Sequence, residues 1–204
     1  MFYKEILSVV AVALTFVAFL PYIRSILRNH TRPHVFSWVI WGSTTFIVFL
    51  AQLDGGGGVG AWPIGISGLI TLYIAFLAFV KTSDNSITQI DYLFFGLAMA
   101  SLPIWFFTDD ALWAVIILTT VDLLGFGPTV RKAYYRPFEE EPIFFFIFML
   151  RNILVVFALE HYSLTTVLFP AAIACACFCL IVLLIIRRRI SGEEKSNERA
   201  QVND

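Results

Sequence analysis

Two ionisable side chains stand where the chain is otherwise apolar: Asp122 in the run Ala111–Val130 and Arg151 in the run Pro142–Leu159. An ionised group near the centre of a bilayer costs at least ~2.5–3.5 kcal/mol on insertion scales, so such groups face a bundle interior or a water-filled path. At 1.5 Å per residue, Asp122 lies roughly 16 Å from the outer end of its run and Arg151 roughly 13 Å from the inner end of its own. Both depths reach the middle of a ~30 Å hydrocarbon core. The two are therefore expected to face each other or to share a solute. As a functional pair they would exchange a proton at Asp122 or bind a zwitterionic or hydrogen-bonding solute; as a structural pair they would fix helix packing.

Their surroundings add polar and aromatic chemistry. Thr119, Asp122, Gly125 and Thr129 follow at three- and four-residue steps and share a helix face, as do Trp38, Trp41 and Thr45 with Gln52 beyond them. A tryptophan beside hydroxyl and amide groups suits a flat polar ligand, although Trp38 also fits an interfacial belt. Trp41, Gln52 and Asn152, the neighbour of Arg151, join the candidate solute-binding set.

The elements that must position these residues are long apolar runs. Of the 204 residues 59% are hydrophobic, and the mean hydropathy is +0.81, outside the range of ordinary soluble domains. Reading from charge to charge gives seven spans: Ile6–Ile23, Val35–Leu53, Gly55–Val80, Tyr92–Thr108, Ala111–Val130, Pro142–Leu159 and Tyr162–Ile186. Each is near the ~20 residues a membrane helix needs. The first has no small-x-small cleavage site after it and reads as a retained helix. Cys175, Cys177 and Cys179 alternate across one helix and read as small packing residues rather than metal ligands, and no cofactor is expected. A net charge of −1 gives no sign of nucleic-acid binding.

The basic residues sort by side. Arg24, Arg28, Arg32, Lys81, Arg131, Lys132, Arg136, Arg187, Arg188, Arg189, Lys195 and Arg199 fall on one side of the spans; the other has only Lys4, with Asp54, Asp109, Asp110 and Glu160. The positive-inside rule then places the N-terminus outside and the C-terminus in the cytoplasm.

An offset of 107 residues takes Pro21 to Pro128, Arg24 to Arg131, Pro63 to Pro170 and Lys81 to Arg188. It also pairs Asp122 with Thr15 and Arg151 with Thr44, which predicts a cavity polar on one side and ionic on the other. Spans one to three thus correspond to five to seven, and a single linking span makes the two halves parallel. Proline removes one backbone bond from a membrane helix and permits a kink, so Pro21, Pro63, Pro128 and Pro170 are candidate hinges.

This arrangement resembles the PQ-loop/SWEET superfamily over roughly residues 2–189, with Pro21-Tyr22 and Pro128-Thr129 standing where that family carries its proline-glutamine pairs. The resemblance implies an all-α integral membrane fold of seven transmembrane helices in a 3+1+3 parallel repeat. Its parts would be residues 1–81 as the first repeat, 82–110 as the linker helix, 111–190 as the second repeat and 191–204 as a disordered cytoplasmic tail. It also implies a multi-pass protein of the cell membrane, bacterial inner or plasma membrane, that carries a small polar solute by alternating access. Sugar carriers of the family place an asparagine on helices three and seven; neither span has one here. Expected partners are the lipid bilayer, the solute and, as an option, further copies of the chain.

Two other classes compete. A receptor or scaffold on the same fold would use the arginine-rich ends as a partner or lipid surface. A membrane enzyme would need His30, His34 and Glu139, Glu140 and Glu141 to converge, and their spacing matches no hydrolase or metal motif. No enzymatic activity is expected.

Overall fold

The computed structural model describes residues 2–29, 35–81, 89–140 and 142–203. Among these the chain is all-helical: α1 (Phe2–Leu27), α2 (Val35–Asp54), α3 (Trp62–Val80), α4 (Gln89–Thr108), α5 (Ala111–Gly125), α6 (Gly127–Tyr135), α7 (Pro142–Ala158) and α8 (Leu164–Asn203). Short 3₁₀ turns cover Gly58–Ala61 and Pro137–Glu139. His30, Arg32, His34 and Glu141 lie outside the described residues.

Four helical segments are long and apolar enough to cross a membrane: Phe2–Leu27, Val35–Asp54, Gly58–Val80 and Leu164–Ile190. Phe95–Thr108, Ala111–Gly125 and Pro142–Ala158 are shorter apolar helices. Burial is inverted relative to a soluble domain. Phe79 and Phe106 are 68% and 81% exposed, while Thr15, Thr44, Gln52, Arg151 and Asn152 are at most 2% exposed. In hydrocarbon this is the stable arrangement, because polar groups find partners only inside the bundle.

The expected fifth span is not one helix. It breaks at Phe126 into α5 and α6. Pro128 has no N–H for the carbonyl of Leu124, its ring crowds that carbonyl, and Gly125 and Gly127 flank the break with poor helix propensity. Pro21 and Pro170 lie inside α1 and α8. Pro63 instead stands in the first turn of α3, where a missing N–H breaks no helical bond, so it cannot act as a mid-helix kink. α8 runs as helix through Asn203, over the segment 191–203 expected as a tail. Extending a formed helix avoids the cost of nucleation, and Glu, Lys, Arg and Ala along 191–203 are good helix formers.

The packing crosses between the two parts of the chain. α2 lies against α3 and α7 against α8, while α1 packs on α7 and α2 on α5. α4 contacts α5 and α2 and buries few of its described side chains, among them Ala98 and Ser101. Two ends of the bundle are defined by their hydrogen bonds. At the glycine-loop end, Lys4 Nζ donates to Leu159 O (2.6 Å), Ser8 Oγ to Val59 O (2.6 Å) and Glu160 N to Gly57 O (3.1 Å). At the arginine end, Lys81 Nζ donates to Leu27 O (3.4 Å), Arg187 Nε to Tyr134 O (2.9 Å) and Arg188 Nε to Pro137 O (2.9 Å). Cations on the terminal carbonyls of α1 and α6 satisfy acceptors that helices leave open, and they complement the helix dipole.

Candidate functional site

A cavity of about 190 Å³ opens between α1–α3 and α5–α8. It is smaller than the ~300–1,000 Å³ of drug-sized pockets and would hold about six waters, so it fits a small solute. Eight of its seventeen lining residues are aromatic. Phe19 and Phe126, Trp38 and Phe145, and Trp41 and Phe148 all line it, each pair related by the offset of 107 that connects Pro21 to Pro128. Tyr22 stacks on Trp38 with ring centroids 5.0 Å apart, Trp38 meets Trp41 edge-on at 5.7 Å, and Phe19 meets Phe148 edge-on at 5.4 Å. Gly125 lets α5 approach α2 closely: a Cβ there would stand 2.7 Å from Trp41 Nε1.

The polar lining is Thr45, Ser67, Thr71, Thr129, Asp122 and Arg151, with Cys177 beside them. Asp122 and Arg151 share the cavity, but no ion pair or hydrogen bond joins them among the described residues. Asp122 Oδ1 lies 2.8 Å from Thr44 Oγ1. Arg151 donates from Nε to Thr15 Oγ1 (3.2 Å), from Nη1 to Asn152 Oδ1 (3.1 Å) and from Nη2 to Pro63 O (2.6 Å). Its guanidinium also lies 5.7 Å from the Phe148 ring centre. Thr15 passes its own proton to Ala11 O (2.9 Å), which leaves its oxygen free to accept from the arginine.

These bonds correct the expected division into a polar and an ionic wall. Thr15 and Thr44 are not among the lining residues; Thr15 on α1 is bonded to Arg151 on α7, and Thr44 on α2 to Asp122 on α5. The two contacts correspond, because the offset that relates Thr15 to Asp122 also relates Thr44 to Arg151. One joins α2 to α5 and the other α7 to α1.

The remaining candidates divide. Trp41 lines the cavity. Asn152 supports Arg151 and donates to Phe148 O (2.8 Å). Gln52 does not line it; its Nε2 reaches Thr166 O (2.7 Å) on α8 and its Oε1 is buried without a partner. Thr119 is likewise buried with an unpartnered Oγ1. Residues the sequence reading missed are mainly phenylalanines: Phe19, Phe126, Phe144, Phe145 and Phe148. The offset applied to Trp38 and Trp41 lands on Phe145 and Phe148, and would have found two of them.

The geometry provides a shaped, largely apolar chamber with one acid and one guanidinium, set between interlocking groups of helices. It can bind a small solute and hold or release a proton at Asp122. No known protein family, characterised protein or solved structure matches the chain.

Proposed function

We propose that the protein is a seven-span membrane carrier for a small polar solute, working by alternating access between two parallel three-helix halves. α1–α3 form the first half, α5–α8 the second, and α4 the link, with the N-terminus outside and the C-terminus in the cytoplasm. The observation that carries this reading is the aromatic-rich cavity that holds Asp122 and Arg151 and is lined from α1–α3 and from α5–α8. Buried ionisable groups in a membrane mark solute or ion paths, and carriers built from parallel repeats bind between their halves near the midplane. The helix starts Val35 and Pro142, related by the offset of 107, support the duplication. So does the exchange of partners, α1 on α7 and α2 on α5. α5 and α6 are read together as the fifth span, and this reading leaves the protein without enzymatic chemistry.

Uptake by proteoliposomes tests the proposal, with sugars, nucleosides, vitamins and amino acids offered at mildly acidic and neutral pH. Saturable uptake of one class, slowed at least tenfold but still measurable in Asp122→Asn protein that folds, is the expected result. The same ligand at 100 times its Kd should raise the thermal midpoint, since it stabilises the folded state by ~2.7 kcal/mol. Absence of uptake and of any thermal shift would overturn the carrier reading in favour of a receptor or scaffold.

A further inference from the structure

Hydrogen bonds join the two groups of helices at the glycine-loop end. At the glycine-loop end they cross: Lys4 of α1 to Leu159 O, Glu160 N to Gly57 O, Val59 N to Glu160 Oε1 (3.4 Å), and Gln52 of α2 to Thr166 O of α8. At the arginine end Lys81 bonds to α1 of its own half, and Arg187 and Arg188 bond to the α6 end of theirs. These bonds tie the glycine-loop end shut, and Gln52 differs in kind from the other ties.

Pro170 lies inside α8 and lacks the N–H that would serve the carbonyl of Thr166 four residues earlier. A backbone carbonyl without a donor is costly in a membrane interior, so a proline break there needs a donor from a neighbouring element. Gln52 Nε2 supplies it from the opposite half at 2.7 Å, on a residue with 0% exposure. Its own Oε1 receives nothing. The contact thus closes the end by satisfying one buried acceptor while stranding another. Water entering between the halves would serve both, so the open state is not penalised for losing the bond.

We infer that the Gln52–Thr166 contact is the latch of a gate at the glycine-loop end, engaged when the cavity faces the arginine end and released when it faces the other way. Thr166 is held ready for it: Ser163 N donates to Thr166 Oγ1 (3.0 Å) and Thr166 N to Ser163 Oγ (3.3 Å), which fixes the first turn of α8. This inference rests on the carrier reading and names the residues that set which face of the carrier is open.

Cys177, in the cavity wall, is a native reporter. In a Cys175→Ser, Cys179→Ser background, a small membrane-impermeant methanethiosulfonate is applied to intact host cells and to inside-out vesicles, so that each end is probed separately. The parent is expected to react from the arginine end and to be protected at the glycine-loop end. Gln52→Met keeps the side-chain length and removes the donor; it should raise the rate from the glycine-loop end at least tenfold. Pro170→Ala returns an N–H to Thr166 O within α8, so adding Gln52→Met to it should change the rate less than twofold. Reaction rates that ignore Gln52→Met, while Lys4→Met with Glu160→Ala does open that end, would overturn the latch and leave the carrier standing. If no variant admits reagent from the glycine-loop end, both fail. A Gln52→Met effect of equal size with and without Pro170 would assign Gln52 to packing and overturn the latch.

Discussion

Thr44 Oγ1 stands 2.8 Å from Asp122 Oδ1 and 3.0 Å from the carbonyl oxygen of Trp41. A hydroxyl has one proton, so these two contacts are alternatives or halves of a three-centre bond. An ionised Asp122 accepts that proton. A protonated Asp122 donates to Thr44 instead, and Thr44 then donates to Trp41 O. The same atoms accommodate both protonation states without moving a helix, which is what a carboxyl that loads and unloads a proton requires. We expect wild-type uptake to respond to an imposed proton gradient and Asp122→Asn uptake, where any persists, to be insensitive to it. Equal gradient dependence in both would remove Asp122 from proton coupling.

The hydroxyl itself is the next test. Thr44→Val preserves shape and leaves the buried carboxyl without its partner, which costs ~1–3 kcal/mol. At ~2–4 °C per kcal/mol for a chain of this size, the thermal midpoint in detergent should fall by several degrees. Thr44→Ser should recover most of the loss, because it restores the donor. A Thr44→Ser variant as unstable as Thr44→Val would place the cost in packing rather than in the hydrogen bond.

Arg151 serves three acceptors on different elements: Thr15 on α1, Pro63 O on α3 and its neighbour Asn152 on α7. The planar guanidinium spans them; a lysine ammonium is a point donor on a flexible stem. Arg151→Lys should therefore keep the charge yet lower the midpoint nearly as far as Arg151→Met, with ~1–3 kcal/mol lost for each stranded acceptor. A lysine variant of wild-type stability would show that charge alone is what the site needs.

How much of this was legible in the sequence depends on residue type. Asp122 and Arg151 stood out because a charge in an apolar run has few places to go. Four of the apolar runs are helices long enough to span a membrane, as their length alone implies. The facing of Phe19 and Phe144 was not legible, since lipid is as apolar as the bundle interior and burial leaves no hydrophobic periodicity to read. Thr15 and Thr44 read as cavity groups from the sequence; only the three-dimensional packing of α1 on α7 and α2 on α5 shows that each meets an ion on the helix packed against its own. Gln52 was assigned to the solute for the same reason, because nothing in the sequence connects it to the carbonyl that Pro170 frees. The break at Phe126 was within reach, as Gly125, Gly127 and Pro128 together predict it. Beyond Ile190 polarity and helix propensity point different ways, and α8 follows the propensity through Asn203.

Gly125 gives a prediction about the cavity alone. An alanine Cβ there would lie 2.7 Å from Trp41 Nε1, and the clash is with the edge of a side chain that can turn away. The available direction is into the cavity, so Gly125→Ala should cost only ~1–3 kcal/mol of stability, the usual range for overpacking. Solute affinity should fall at least tenfold. The measurement is the ligand-induced thermal shift, scored against the variant's own baseline. Unchanged affinity would mean that Trp41 does not shape the bound site.

Gly60 tests the tied end from the backbone side. Its added Cβ would meet Leu159 N at 2.6 Å and the carbonyl carbon of Ala158 at 2.7 Å. Neither partner is a flexible side chain, so the glycine loop and the 158–160 turn must separate. The same two segments hold the Glu160 N to Gly57 O bond, and Lys4 reaches Leu159 O beside it. Gly60→Ala should therefore weaken several ties at once, opening the glycine-loop end to reagent at Cys177 more than it lowers the midpoint. Gly96→Ala is the control, since a Cβ there meets nothing within 4 Å. If Gly60→Ala lowers stability by several degrees while Cys177 stays protected from that end, the contact is structural packing and the ties there do not form a gate.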